Sequence, residues 1–193
     1  VMDDPEATIR SPWRCYQRCV TEPWEGTHLL VIQDDAWPST GFAEAALSAI
    51  EARPDRVLCL FMHGTPPEIA RAVRAGRPGT FVELRNMRWL PAVATVWPRE
   101  LAEALAAWAK TAHRPKRADD ANLWKFVRSR GRALVTVPSL VQHPDTEPSI
   151  MVKPSQQHGH RGGWRLAARC PDDVTGIRFE PAHEGKARLE PIR

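Results

Sequence analysis

The stretch Leu29-Leu30-Val31-Ile32-Gln33-Asp34-Asp35 sets the reading of the whole chain. Four consecutive branched apolar residues run straight into two adjacent carboxylates. An apolar run this short, with no polar alternation, suits a strand buried on both faces of a parallel sheet. The aspartates then fall where that strand leaves the sheet, and in open α/β sheets ligands collect at the carboxyl ends of strands. Two carboxylates there make a hard, oxygen-rich site of the kind that holds Mg2+ or Mn2+ against phosphate. The plainer account is that Asp34 and Asp35 begin a turn and cap the next helix.

Working outward, residues 36–41 read as a loop, and a helix is predicted from about Gly41 to Ala52. Phe42, Ala45, Ala46, Ala49 and Ile50 recur there at three- and four-residue spacings, which makes one buried stripe. Arg53-Pro54-Asp55 stops it. Val57-Leu58-Cys59-Leu60-Phe61 is a second buried strand, so strand, helix and strand together read as a right-handed βαβ unit. Upstream, residues 12–20 place Trp13, Tyr16 and Val20 on one helical face, with Pro12 suited to the first turn. Pro23-Trp24-Glu25-Gly26 is a turn that feeds the central strand.

Downstream, Thr65-Pro66-Pro67-Glu68 has the form of a capping box and opens a short helix that ends by Gly76. Residues 76–88 read as irregular and basic. A third apolar segment covers residues 91–96, and Pro98 opens a helix with Leu101, Leu105, Trp108 and Ala112 along one face. A basic break at 113–117 precedes Asp119-Asp120 and a helix through Leu123, Phe126 and Val127, closed by Gly131. Residues 133–137 form a fourth strand, which ends in Pro138-Ser139-Leu140-Val141-Gln142-His143-Pro144. Beyond Pro144 the character changes. Residues 154–165 are rich in Gln, His, Gly and Arg, and from Pro171 the chain is polar and proline-spaced. The expected organisation is an α/β domain over 1–149, followed over 150–193 by a mobile basic loop and a tail that wraps back.

The length of 193 residues suits one domain with a sizeable core. No apolar run is long enough to span a membrane, and no signal-peptide core opens the sequence, which predicts a soluble cytoplasmic protein. Cys15, Cys19, Cys59 and Cys170 make no paired CxxC knuckle, so reduced thiols are the simpler account and a zinc site at Cys15 and Cys19 the lesser one. The formal net charge of +4 comes mainly from arginine. Such a surface suits phosphate-bearing ligands without choosing among nucleotide sugars, nucleic acid and anionic polymers.

Three polar groups fall at element ends that could face one cleft: Asp34-Asp35, Asp119-Asp120 and His143. Each has a bland alternative. Asp119 or Asp120 is a good N-cap, and a lone histidine beside a proline is usually a hydrogen-bonded turn residue. The functional argument rests on the conjunction.

Taken together, the order of these motifs resembles a GT-A-fold glycosyltransferase of the small bacterial and phage kind. The residues that carry the resemblance are Leu30-Val31-Ile32-Gln33-Asp34-Asp35-Ala36, Ala118-Asp119-Asp120-Ala121-Asn122-Leu123 and Val137-Pro138-Ser139-Leu140-Val141-Gln142-His143. The resemblance covers roughly residues 13–149, and each motif is short. It implies a single GT-A-like (nucleotide-diphospho-sugar transferase) α/β domain, with a mostly parallel central sheet flanked by helices. It implies transfer of a sugar, as in a hexosyltransferase, from a UDP- or GDP-sugar to a hydroxyl on a glycan, a protein or modified DNA. The setting would be a cytoplasm, the host's if the chain is phage-encoded.

Asp35 would be the main carboxylate ligand of Mn2+ or Mg2+. Asp34 would be a second ligand or a ribose or sugar contact, and His143 an imidazole ligand. Asp119 or Asp120 would take the proton of the attacking hydroxyl, a role that favours inversion. Arg161, Trp164 and Arg165 would close over the pyrophosphate as a lid; the alternative for that loop is an ordinary disordered basic segment.

Two features depart from the family pattern. Gln33 stands where the family's metal motif usually has an acid. Too little chain precedes Trp13 for the strand that cradles the base, so the first nucleotide-binding strand is expected to be short or missing. Two other functional classes compete: a non-catalytic binding protein that keeps the fold, and a nucleic-acid-binding module using arginine and tryptophan.

Overall fold

The computed structural model describes residues 11–64, 66–111, 118–130, 133–144 and 167–181. In chain order the elements are α1 (Pro12–Thr21), β1 (His28–Ile32), β2 (Trp37–Pro38), α2 (Phe42–Ala52), β3 (Val57–Cys59) and α3 (Pro67–Ala75). They continue as β4 (Thr80–Glu83), β5 (Ala94–Pro98), α4 (Arg99–Thr111), α5 (Asp119–Val127), β6 (Ala133–Val137) and β7 (Val141–Gln142). α1 buries Trp13, Tyr16 and Val20, the stripe its spacing predicts. α2 buries Ala45, Ala46, Ser48, Ala49 and Ala52, and its alanines let the helix lie close to the sheet.

The architecture is α/β, with a five-stranded sheet of order β1-β5-β3-β6-β4 and a two-stranded ribbon of β2 and β7. Among the described strands of this sheet only β3 and β6 pair in parallel; β1 with β5, β3 with β5 and β4 with β6 are antiparallel. The sheet is therefore mixed, not mostly parallel. The reason lies in β5. Its five residues are all buried, so it takes an interior place between β1 and β3. Those two strands still run the same way, but the helix joining them crosses over an intervening strand.

β1 is left at the sheet edge. Only Val31 of this strand is buried, while Leu30 and Ile32 are 40% and 37% exposed. The expectation of a strand covered on both faces is thus corrected: a branched apolar run favours extended backbone but does not fix a central position. Residues 76–88, expected to be irregular, contain β4. Its Thr80-Phe81-Val82 core is β-favouring, and Gly79, at φ +82°, makes the turn into it.

Side chains alternate between two cores. Val57, Cys59, Val135 and Val137 point to the side packed by α1, α4 and α5. Leu58, Leu60, Ala94 and Val96 point to the side packed by α2. Val174 and Phe179 join this second core. Their segment is tied down by Val174 N donating to Thr40 O (2.9 Å), Glu180 N to Gly79 O (3.0 Å) and Ser139 N to Arg169 O (2.8 Å). In α4 the buried residues are Ala102, Leu105 and Ala109, with Leu101 and Trp108 half-buried. The predicted stripe is therefore rotated slightly.

All four cysteines are free thiols, and Cys59 is buried; burial pushes its thiol pKa upward. Among the described residues no helix is long and apolar enough to cross a membrane. Thr65, Ala112 to Arg117, Gly131 and residues 145–166, the last expected as part of a mobile loop, lie outside the described residues.

Candidate functional site

β1, β3 and β6 end at one edge of the sheet, and β5, which runs the other way, begins there. β1 delivers Gln33, Asp34 and Asp35 to that edge. Gln33 N donates to Val93 O (2.9 Å), which pins the strand end to the approach into β5, and Ala36 N donates to Gln33 O (3.1 Å), which closes the turn carrying the aspartates. Asp34 is exposed on this turn.

β6 leads through Ser139 and Leu140 into β7, which pairs antiparallel with β2: Trp37 opposes Gln142 and Pro38 opposes Val141. Extending that ladder by one step sets His143 across from Ala36, next to Asp35. The imidazole Nε2 lies 2.9 Å from Asp35 Oδ2. His143 is buried and Asp35 half-exposed, so the pair has a dry side and a wet side. Gln142 Oε1 steadies the backbone here, accepting from His143 N (3.1 Å) and Ala167 N (2.6 Å). The Phe61 ring lies against the imidazole, centroids 6.1 Å apart.

The second acidic pair opens α5. Ala118 is the N-cap and makes no side-chain cap, so Asp119 and Asp120 occupy the first turn, where the helix dipole favours negative charge. Asp119 is buried. One of its oxygens accepts from Asp120 N (2.9 Å), and the other from Gln33 Nε2 at a longer 3.4 Å. Burial raises its pKa, and these hydrogen bonds oppose the rise. Asp120 Oδ1 accepts from Ala121 N. Its carboxyl is pushed up to about 6, first by burial and then by the charge of Asp119. Beneath lies a buried cluster in which Trp97 Nε1 donates to Tyr16 (2.7 Å) and Thr95 (3.0 Å), whose hydroxyls are 2.7 Å apart.

The structure therefore brings His143 to Asp35, and Asp119 and Asp120 to the end of the same strand through Gln33. Gln33, which the sequence marked only as a departure from a metal motif, is the link between the two acidic centres. Arg161, Trp164 and Arg165 lie outside the described residues.

Among the described residues no group of three His, Cys, Asp or Glu side chains is arranged to hold a metal ion. The Asp35–His143 corner nonetheless suits a two-ligand site. Mg2+ and similar ions take one or two protein ligands and complete their shell with water and substrate phosphate. The 2.9 Å between Oδ2 and Nε2 is a hydrogen-bond distance, so the carboxylate and imidazole satisfy each other here and a cation would have to replace the proton they share. Second-sphere support is thinner: the buried Nδ1 of His143 has no hydrogen-bond partner among the described residues, whereas a ligating histidine ordinarily donates through its other nitrogen. Packing against Phe61 takes that part in fixing the ring.

No family model matches the chain, and no curated protein or solved structure matches it.

Proposed function

We propose that the protein is a metal-dependent glycosyltransferase, moving a sugar from a UDP- or GDP-sugar to a hydroxyl on a glycan, a protein or modified DNA in a cytoplasm. One observation carries the reading. A histidine from far along the chain touches the carboxylate just past β1, and the residue two positions before that carboxylate touches a second acidic pair. The GT-A-like assignment rests on this order of groups around one sheet edge; the mixed pairing of the sheet lends it no support.

Asp35 and His143 are the side chains that would hold the divalent cation, with Asp34 exposed beside them. When bound, such an ion stabilises the negative charge that grows on the departing diphosphate. Asp120 is the group with a proton-accepting role. It is the more accessible of its pair, and a carboxyl raised toward neutrality is the stronger base among carboxylates. The acceptor oxygen attacks the anomeric carbon, its proton passes to Asp120, and the carbon–oxygen bond to the diphosphate breaks with its electron pair leaving on the phosphate. Asp119, held by Gln33 and by Asp120 N, keeps Asp120 basic by its charge.

A screen of nucleotide sugars with and without Mn2+, read by released nucleotide, tests the proposal. The expected outcome is Mn2+-dependent release that Asp35→Ala and His143→Ala each cut by at least about a hundredfold. Absence of release from every donor, together with no effect of Mn2+ on thermal stability, would overturn it.

A further inference from the structure

β1 ends the five-stranded sheet, and its outer side is a row of backbone hydrogen-bonding groups. Two hydrogen bonds bracket its ladder to β5: Arg99 N donates to Thr27 O (2.8 Å) and Gln33 N donates to Val93 O (2.9 Å). Antiparallel pairing alternates, so the odd-numbered residues between them turn their N–H and C=O toward β5. His28, Leu30 and Ile32 turn theirs outward, where no strand lies among the described residues.

Natural edges are guarded by charge, proline or a bulge. The run His28-Leu29-Leu30-Val31-Ile32 contains no Lys, Arg, Asp, Glu or Pro, and it pairs with β5 residue for residue. The His28 imidazole is turned back onto the molecule, its Nε2 donating to Pro54 O (2.8 Å). Leu30 and Ile32 oppose Val96 and Ala94, which lie in the core under α2, yet both remain exposed.

Two properties select a second copy of this chain as the partner. The first is self-complementarity. An antiparallel copy related by a twofold axis at Leu30 pairs Leu30 with Leu30 and His28 with Ile32, each pair exchanging two hydrogen bonds. An axis at Leu29 or Val31 instead pushes Ile32 or His28 past the end of the opposing strand. The second is charge. The Leu30 register sets Asp34, exposed on the turn past β1, beside Gly26 of the second copy. Arg99 is held there, its Nε donating to Gly26 O (2.8 Å) and its guanidinium 4.5 Å from the Trp24 ring centroid. Symmetry makes this meeting of opposite charges twice. Asp35, which the same register would bring toward Glu25, is engaged by His143.

We propose that the protein forms a homodimer by antiparallel pairing of β1 with β1 of a second copy, which joins the two sheets into one. Each copy then lends Arg99 to the sheet edge that carries the other's acidic centre. The dimer does not rest on the transferase reading.

A strip this short makes a weak interface, so a dissociation constant on the order of 10 µM is expected. Sedimentation velocity of the full chain below and above that concentration should show monomer passing to dimer. Leu30→Lys sets two ammonium groups across the axis and should weaken the dimer by at least roughly tenfold, while the exposed position leaves the fold intact. Asp34→Arg, which faces Arg99, is the second variant, with a several-fold loss expected. Leu30→Cys should cross-link to itself under a mild thiol oxidant, because Cα atoms of a hydrogen-bonded antiparallel pair lie about 5.5 Å apart, within disulfide reach. Leu47→Cys, exposed on α2, should give no more covalent dimer than the unmodified chain with its own free thiols. A chain monomeric at every concentration, a dimer that both charge variants leave intact, or no excess cross-linking by Leu30→Cys overturns the proposal. So does slow amide exchange at Leu30 and Ile32 in the dilute monomer, which would put another segment of the same chain on this edge.

Discussion

Asp120 concentrates the conflict between stability and chemistry in one side chain. In the unfolded chain it ionises near the ordinary aspartate value of about 3.9; in the folded chain it does so near about 6, because it is largely buried and faces Asp119. As pH rises between these values the unfolded state gives up the proton first. Its contribution therefore makes folding stability fall through that window and then level off above about pH 6. The ionised carboxylate costs the fold about 3 kcal/mol at neutral pH. Asp120→Asn keeps an oxygen for Ala121 N and removes the charge. It should raise Tm by roughly 8 °C at pH 7.5, leave Tm near pH 4 nearly unchanged, and abolish nucleotide-sugar turnover. Thermal scans across pH check this, and an equal Tm gain at both pH values would show that the charge is not the cause.

At the scale of elements, what the sequence made legible was local, and what it concealed was competition between segments. α1 lies where the Trp13, Tyr16, Val20 spacing predicts, and β6 covers the predicted Ala133–Val137. The turn after β1 does carry Asp34 and Asp35 out of the sheet, and α5 does begin at Asp119. The order of strands was not legible, because it depends on which apolar run takes the centre, and Ala94–Pro98 displaced Leu29–Ile32 to the edge. The same limit hid β2 and β7, each two residues long, although their pairing is what returns His143 to Asp35.

β4 was masked by its basic surroundings, and its entry depends on Gly79. A Cβ there would collide with the carbonyl of Arg178 while the backbone sits at φ +82°. Gly26 is also at positive φ, +118°, but its nearest neighbour would be 3.8 Å away. Gly79→Ala should therefore cost about 3 kcal/mol against about 1 kcal/mol for Gly26→Ala. Denaturant midpoints of the two variants give the comparison, and equal losses would mean that crowding at Arg178 relaxes freely.

For the whole molecule, the segment from Ala167 to Pro181 acts as a strap across one face of the sheet. It bridges to His63 and Thr40, accepts from Ser139 and donates to Gly79, so it touches the ends of β3, β6 and β4 and the loop before α2. Its apolar anchors are Val174 and Phe179. The Phe179 ring meets Phe81 at 4.9 Å, and its backbone N donates to Ser48 Oγ at 2.9 Å. Both anchors share a core with α2, Leu140 and Val141, and Val141 belongs to the short strand that delivers His143. Loosening the strap therefore removes support from the Asp35–His143 corner as well as from the sheet. Phe179→Ala should cost about 3–5 kcal/mol. It should do so in one cooperative unfolding transition, because the cavity opens in a core common to the strap and the sheet. Tryptophan fluorescence during urea unfolding is a discriminating probe, since Trp97, Trp108 and Trp124 all lie outside the strap. A lowered fluorescence midpoint with an unchanged slope means the strap and sheet unfold as a unit. An unchanged midpoint would mean that the strap peels away alone, and the corner that holds His143 would then owe its geometry to the β2–β7 ribbon without it.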